Sequence, residues 1–87
     1  MVIDNGRGNS PLISIVIPCL NEEPTVGYCI DNAKEALAEM GIRGEIIVVD
    51  NGSTDDSAKT ALVHGAKVIV EPAKGYGNAC RRGMQEA

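Results

Sequence analysis

Glu45-Ile46-Ile47-Val48-Val49-Asp50 sets four β-branched residues in a row with no polar alternation. Side chains of a strand point to alternate faces, so this run predicts a strand covered on both, as in a parallel sheet. Two further β-branched runs flank it. Ile13-Ser14-Ile15-Val16-Ile17 comes first and is stopped by Pro18, which cannot continue a central ladder. Lys67-Val68-Ile69-Val70 comes last and ends at Glu71-Pro72.

Between the runs the apolar period becomes helical. Val26, Cys29, Ile30, Ala33, Leu37 and Met40 share one helical face, with Pro24 in the first turn, Glu22 and Glu23 at the positive end, and Gly41 as the stop. A second helix is expected after Ser53, read as its N-cap with Asp56 three residues on. Ala58, Ala61 and Leu62 would face inward and Gly65 would close it. A third is expected from Asn78 through Ala79 and Met84. Strand and helix alternating in this way predict an α/β fold, βαβαβα, with right-handed crossovers: half of an open, three-layer parallel sheet.

The 87 residues suffice for one domain. There is no Phe or Trp, so nine Ile and eight Val must supply the core. A formal charge of −4 argues against nucleic acid as a partner. No apolar run approaches a membrane span of roughly 18–20 residues. Residues 1–12 are polar and Gly/Asn-rich, and read as a flexible leader before a domain over 13–87. Three cysteines without a C-x-x-C pair (Cys19, Cys29, Cys80) are expected as small buried hydrophobes in a reducing, cytoplasmic setting.

Ligands of open α/β sheets bind beyond the carboxyl ends of the strands. The three segments at those ends are 18–23, 50–55 and 71–78, and all are polar or glycine-rich, whereas 41–44 and 65–66 at the opposite edge are short. Carboxylates and amides can read a base edge or a ribose diol, and helix N-termini and glycine amides suit a diphosphate. Residues 71–87 carry a net +1, against −5 for residues 1–70, so Lys74, Arg81 and Arg82 place positive charge near that edge. Plainer readings accompany each feature: Ser53, Asp55 and Asp56 as helix caps, Asp50 as a strand terminus, Gly75-x-Gly77 as a turn, Arg81-Arg82 as a solvated face. His64 falls at the wrong edge for chemistry and reads as a surface or capping residue.

Taken together, 14–23 (Ser-Ile-Val-Ile-Pro-Cys-Leu-Asn-Glu-Glu), 45–55 (ending Val-Asp-Asn-Gly-Ser-Thr-Asp) and 74–79 (Lys-Gly-Tyr-Gly-Asn-Ala) resemble the start of a family 2 glycosyltransferase of the GT-A fold. Within that family they look most like the polyprenyl (dolichyl) phosphate sugar transferases. The resemblance implies strand order 3-2-1 and a site for a UDP- or GDP-sugar. Pro18 and Leu20 would line the nucleoside pocket, Glu22 would hydrogen-bond the nucleoside, and Asp50 and Asn51 would reach the base. The implied nucleotide-binding set is completed by Asn21, Gly52, Ser53, Lys74, Gly75, Gly77 and Asn78. Leu20 stands where members often have an aromatic residue, and Asn51 where many have a second Asp, so the base stays open between uridine and guanosine.

The family's Asp-x-Asp motif, which holds Mg²⁺ or Mn²⁺, lies beyond the next strand, as do its catalytic base and acceptor site. The resemblance therefore implies an N-terminal portion, inactive alone, with neither catalytic nor metal residues. It also implies an exposed edge along Ile13–Ile17, through which a homo-oligomer would form. The acceptor would be a lipid phosphate, and the longer protein would work at the cytosolic face of a membrane. Two other readings are a nucleotide-binding module without catalysis and a flavodoxin-like regulatory domain with Asp50 as phosphoacceptor.

Overall fold

The computed structural model describes Val2–Asp4 and residues 13–87. In chain order the elements are β1 (Val2–Asp4), β2 (Ile13–Cys19), α1 (Glu23–Met40), β3 (Gly44–Asp50), α2 (Ser57–Val63), β4 (Lys67–Val70) and α3 (Tyr76–Glu86). They form one four-stranded sheet in the order β1-β2-β3-β4. β2, β3 and β4 are parallel, in the expected order 3-2-1 when read from β4.

β3 shows why the sequence demands cover on both faces. Ile46 and Val48 join Cys19, Val26, Ile30, Ala61 and Ala66 in a core beneath α1 and α2. Ile47 and Val49 join Val16, Ile69 and Ala79 in a second core beneath α3. Burying each of the Ile and Val side chains among these contributes about 1.5–3 kcal/mol. α3 approaches β2 closely through Gly83, where an added Cβ would lie 2.3 Å from Val16 Cγ1.

Several expectations need correction. Val2–Asp4 are not a flexible leader: they pair antiparallel with Ile13–Ile15, while the rest of the leader lies outside the described residues. The edge expected to be bare is thus covered over Ile13–Ile15, which removes part of the argument for a dimer there. β2 also runs past Pro18 to Cys19, in register with Val49 and Asp50. β1 pairs only as far as Ile15, so the missing proline N–H costs that pairing nothing.

The helices begin and end on local chemistry. α1 has Pro24 in its first turn and stops at Gly41, which is left-handed at φ +66°. Of its expected inner face Val26, Ile30 and Leu37 are buried, whereas Cys29 and Met40 are exposed. Cys19 and Cys80 are buried, so the expectation fails only for Cys29. α2 starts at Ser57, not after Ser53, and Leu62 faces solvent. α3 starts two residues early, placing Gly77 and Asn78 inside its first turn. His64 caps the end of α2, pairs with Asp31 at 2.9 Å and lies over Gly27 of α1, a packing role at the edge where no site was expected.

Candidate functional site

The carboxyl ends of β2, β3 and β4 release three loops that converge on an open cleft of about 540 Å³. Pro18, Cys19, Leu20, Asn21 and Glu22 line it from the first loop, Asn51, Gly52 and Thr54 from the second, and Lys74, Gly75 and Tyr76 from the third. Lys74 is the one cation and Glu22 the one acid among these residues. Leu20 and Tyr76 offer exposed apolar surface at 53 % and 71 % accessibility.

The first two loops are stitched by reciprocal hydrogen bonds. Asn21 sits at φ +53°, a left-handed position that asparagine tolerates. Its N–H donates to Ser53 Oγ at 2.9 Å, and its Oδ1 accepts the Thr54 N–H at 2.8 Å. The Glu22 N–H donates to Ser57 Oγ at 2.8 Å and the Glu23 N–H to Asp55 Oδ2 at 3.2 Å. Glu23 Oε1 in turn accepts the Asp56 N–H at 3.0 Å. Side chains at and just before the start of α2 therefore cap α1, and Glu23 of α1 serves the start of α2. Ser53 is not the cap expected for α2. Its hydroxyl donates to Asp50 Oδ1, and its N–H reaches the same oxygen at 3.3 Å.

The third loop is held by Asn51. Its Nδ2 donates to the carbonyls of Glu71 and Ala73, both at 2.9 Å, and its Oδ1 accepts the Gly75 N–H at 3.0 Å. Gly75, at φ +117°, then opens α3, and no side chain among the described residues bonds the first-turn amides of that helix. Asn78 Nδ2 closes the turn on the Lys74 carbonyl at 2.8 Å.

Titrating groups follow these contacts. The hydrogen bond from Ser57 holds the Asp55 carboxyl below the usual aspartate range. Burial pushes the Cys19 thiol up, so it stays protonated at neutral pH. A hydrogen bond with Cys80 raises the Tyr76 phenol. None of the three is poised as a nucleophile or base.

Among the twelve residues singled out from sequence, Pro18, Leu20, Asn21, Glu22, Asn51, Gly52, Lys74 and Gly75 line the cleft. Asp50, Ser53, Gly77 and Asn78 are not among the lining residues; Asp50 is almost fully buried, whereas Gly77 is exposed. Arg82 points elsewhere, paired with Glu86 at 3.2 Å and near Glu71 at 3.9 Å, while Arg81 donates to Asn78. Sequence reasoning missed Cys19, Thr54 and Tyr76. Their position inside the post-strand segments was the available signal.

The family model described as Glycosyl transferase family 2 matches residues 14–87, which contain all three loops. The chain belongs to glycosyl transferase family 2. An uncharacterized family relative from Mycobacterium tuberculosis, itself described as a glycosyltransferase, is 43 % identical over 75 residues, spanning 86 % of this chain and 31 % of that protein. The crystal structure of M. tuberculosis glucosyl-3-phosphoglycerate synthase with Mn²⁺, UDP-glucose and phosphoglyceric acid superposes with TM-score 0.70 at 34 % identity, covering 85 % of this chain and 29 % of that one. Mannosyl-3-phosphoglycerate synthase from Rubrobacter xylanophilus gives TM-score 0.77 at 32 % identity, covering 85 % and 26 %. The chain thus spans less than a third of the length of each of these proteins. Both solved structures share its α/β arrangement, so the GT-A fold expected from the motifs is the fold observed.

Proposed function

We propose that this chain supplies the nucleotide-binding part of a glycosyltransferase that moves a sugar from a UDP- or GDP-sugar to a phosphate-bearing acceptor. The observation that carries the reading is one cleft lined from all three post-strand loops, at the edge where open α/β sheets take ligands. Family membership and the UDP-glucose held by a solved relative support it.

In this reading the nucleoside lies against Pro18 and Leu20, with Asn21 and Glu22 at its polar edge, and Asp50, Gly52 and Ser53 shape the base end. The diphosphate lies toward Lys74, Gly75 and the uncapped first turn of α3 at Gly77 and Asn78. Helix N-termini attract anions through unpaired N–H groups and the dipole, and in α3 Asn51 holds the Gly75 N–H while no side chain among the described residues bonds the N–H groups of Tyr76, Gly77 and Asn78 that follow. The acceptor suggested by the motifs is a polyprenyl phosphate. The relative's structure with phosphoglyceric acid supports the broader class of phosphate-bearing acceptors.

A divalent metal accompanies UDP-glucose in that relative. The carboxylates described here do not fit one. No group of three or more His, Cys, Asp or Glu among the described residues could hold a metal, Asp55 is engaged by Ser57 and Glu23, and Asp50 is engaged by Ser53. The part proposed for the residues of this chain is binding and orientation of the nucleotide. The burial of Asp50 also disfavours a phosphoacceptor role, which needs an accessible carboxylate. No helix among the described residues is long and apolar enough to cross a membrane, and the three free cysteines support a cytoplasmic setting.

Calorimetric titration of the chain with UDP and with GDP tests the proposal. Saturable one-to-one binding of either is expected, and the tighter ligand identifies the base. Failure of both to bind would overturn it.

A further inference from the structure

Asn51 was expected to reach the base, yet its carboxamide is fully engaged inside the protein. The residue is 8 % exposed, and its two side-chain N–H donors both go to backbone carbonyls. Its oxygen takes a backbone N–H. Two acceptors on one side and a donor on the other fix the amide in a single orientation, with no donor left for a ligand. The main-chain N–H of Asn51 is engaged as well, donating to the Cys19 carbonyl at 2.8 Å.

All three side-chain partners lie within Glu71–Gly75, a segment without regular structure that carries Lys74 into the cleft and ends at the cap of α3. We propose that Asn51 is a positioning residue: its amide clamps the 71–75 loop and thereby sets where Lys74 and the start of α3 meet the nucleotide, without touching the base. This rests on the nucleotide-cleft reading for its functional half only. The clamp explains the residue type. A carboxylate there could still accept from Gly75 but would face the Glu71 and Ala73 carbonyls with oxygen against oxygen, leaving both unpaired.

The test uses the 87-residue chain with Asn51→Ala, Asn51→Asp, Lys74→Ala and the double variant Asn51→Ala/Lys74→Ala. Amide hydrogen exchange at Gly75 reads the clamp, and titration with UDP and GDP reads its consequence. Exchange at Gly75 is expected to rise at least tenfold in Asn51→Ala and to stay within threefold of the parent in Asn51→Asp. Both Asn51 variants are expected to weaken UDP and GDP in parallel by about tenfold, and Asn51→Ala is expected to add little once Lys74 is gone, because coupled residues are non-additive. A change in the UDP-to-GDP ratio above tenfold, or full additivity with Lys74→Ala, would overturn positioning in favour of direct contact. If the parent chain binds neither nucleotide, the cleft reading fails and the clamp is judged by Gly75 exchange alone: unchanged exchange in Asn51→Ala overturns it.

Discussion

Ser57 Oγ accepts the Glu22 N–H at 2.8 Å, so a side chain at the start of one helix caps the start of another thirty-five residues away in sequence. Ser57 is fully buried, and its hydroxyl also donates to Asp55. Ser57→Ala leaves the Glu22 amide without this acceptor. The expected loss is about 1–2 kcal/mol, read as a lower urea midpoint with an unchanged slope. A midpoint within error of the parent would contradict the capping role.

Asp55 makes that network sensitive to pH. Its folded-state pKa lies below the unfolded value, chiefly through the Ser57 hydrogen bond. Its charged form therefore adds stability above the ordinary aspartate range, and that contribution fades as pH falls through the folded-state value. Asp55→Asn should flatten the acid limb of stability against pH while lowering stability at neutral pH. Parallel acid limbs in parent and variant would refute this.

Two glycines of α3 should respond oppositely to the same change. A Cβ at Gly83 would strike Val16 Cγ1 at 2.3 Å, whereas a Cβ at Gly77 meets nothing within 4 Å. Gly83→Ala is expected to destabilise by about 1–3 kcal/mol through overpacking. Gly77→Ala should be neutral or stabilise by up to about 1 kcal/mol through helix propensity. Denaturant melts of the two variants check the sign of each.

The basic residues near the cleft should separate by role. Lys74 lines it, while Arg82 is held by Glu71 and Glu86. Lys74→Ala should weaken UDP or GDP binding by about ten- to a hundredfold, the range of a charge-assisted hydrogen bond, and should reduce the salt dependence. Arg82→Ala should stay within about twofold. Calorimetry at two ionic strengths measures both.

Much of the architecture was legible because local pattern and global fold agree. The apolar run at 46–49 specifies a strand covered on both faces, and Gly41 specifies where α1 stops. What escaped depends on contacts distant in sequence. Val2–Asp4 become a strand only because the edge of β2 at Ile13–Ile15 is there to pair with. Ser53 has the chemistry of an N-cap, but its hydroxyl is taken by Asp50 and its acceptor by Asn21, and the N-cap of α2 falls three residues later, at Asp56. Arg82 reads as part of a basic cluster, and only the fold brings Glu71 toward it. The edge of the sheet that carries the cleft was readable from loop composition. The division of its residues into lining and supporting groups was not, because burial of Asp50 and the bonding of Asn51 are set by neighbours twenty or more residues away.

Chemical-shift mapping of the ¹⁵N-labelled chain during titration with UDP and with GDP tests the central claim most directly. The account predicts that the largest shifts fall on Leu20, Asn21, Gly52, Lys74 and Gly75, around the cleft at the carboxyl ends of the strands. Shifts centred on Gly44, Gly65 and Lys67 at the opposite edge, or none with either nucleotide at millimolar concentration, would contradict it.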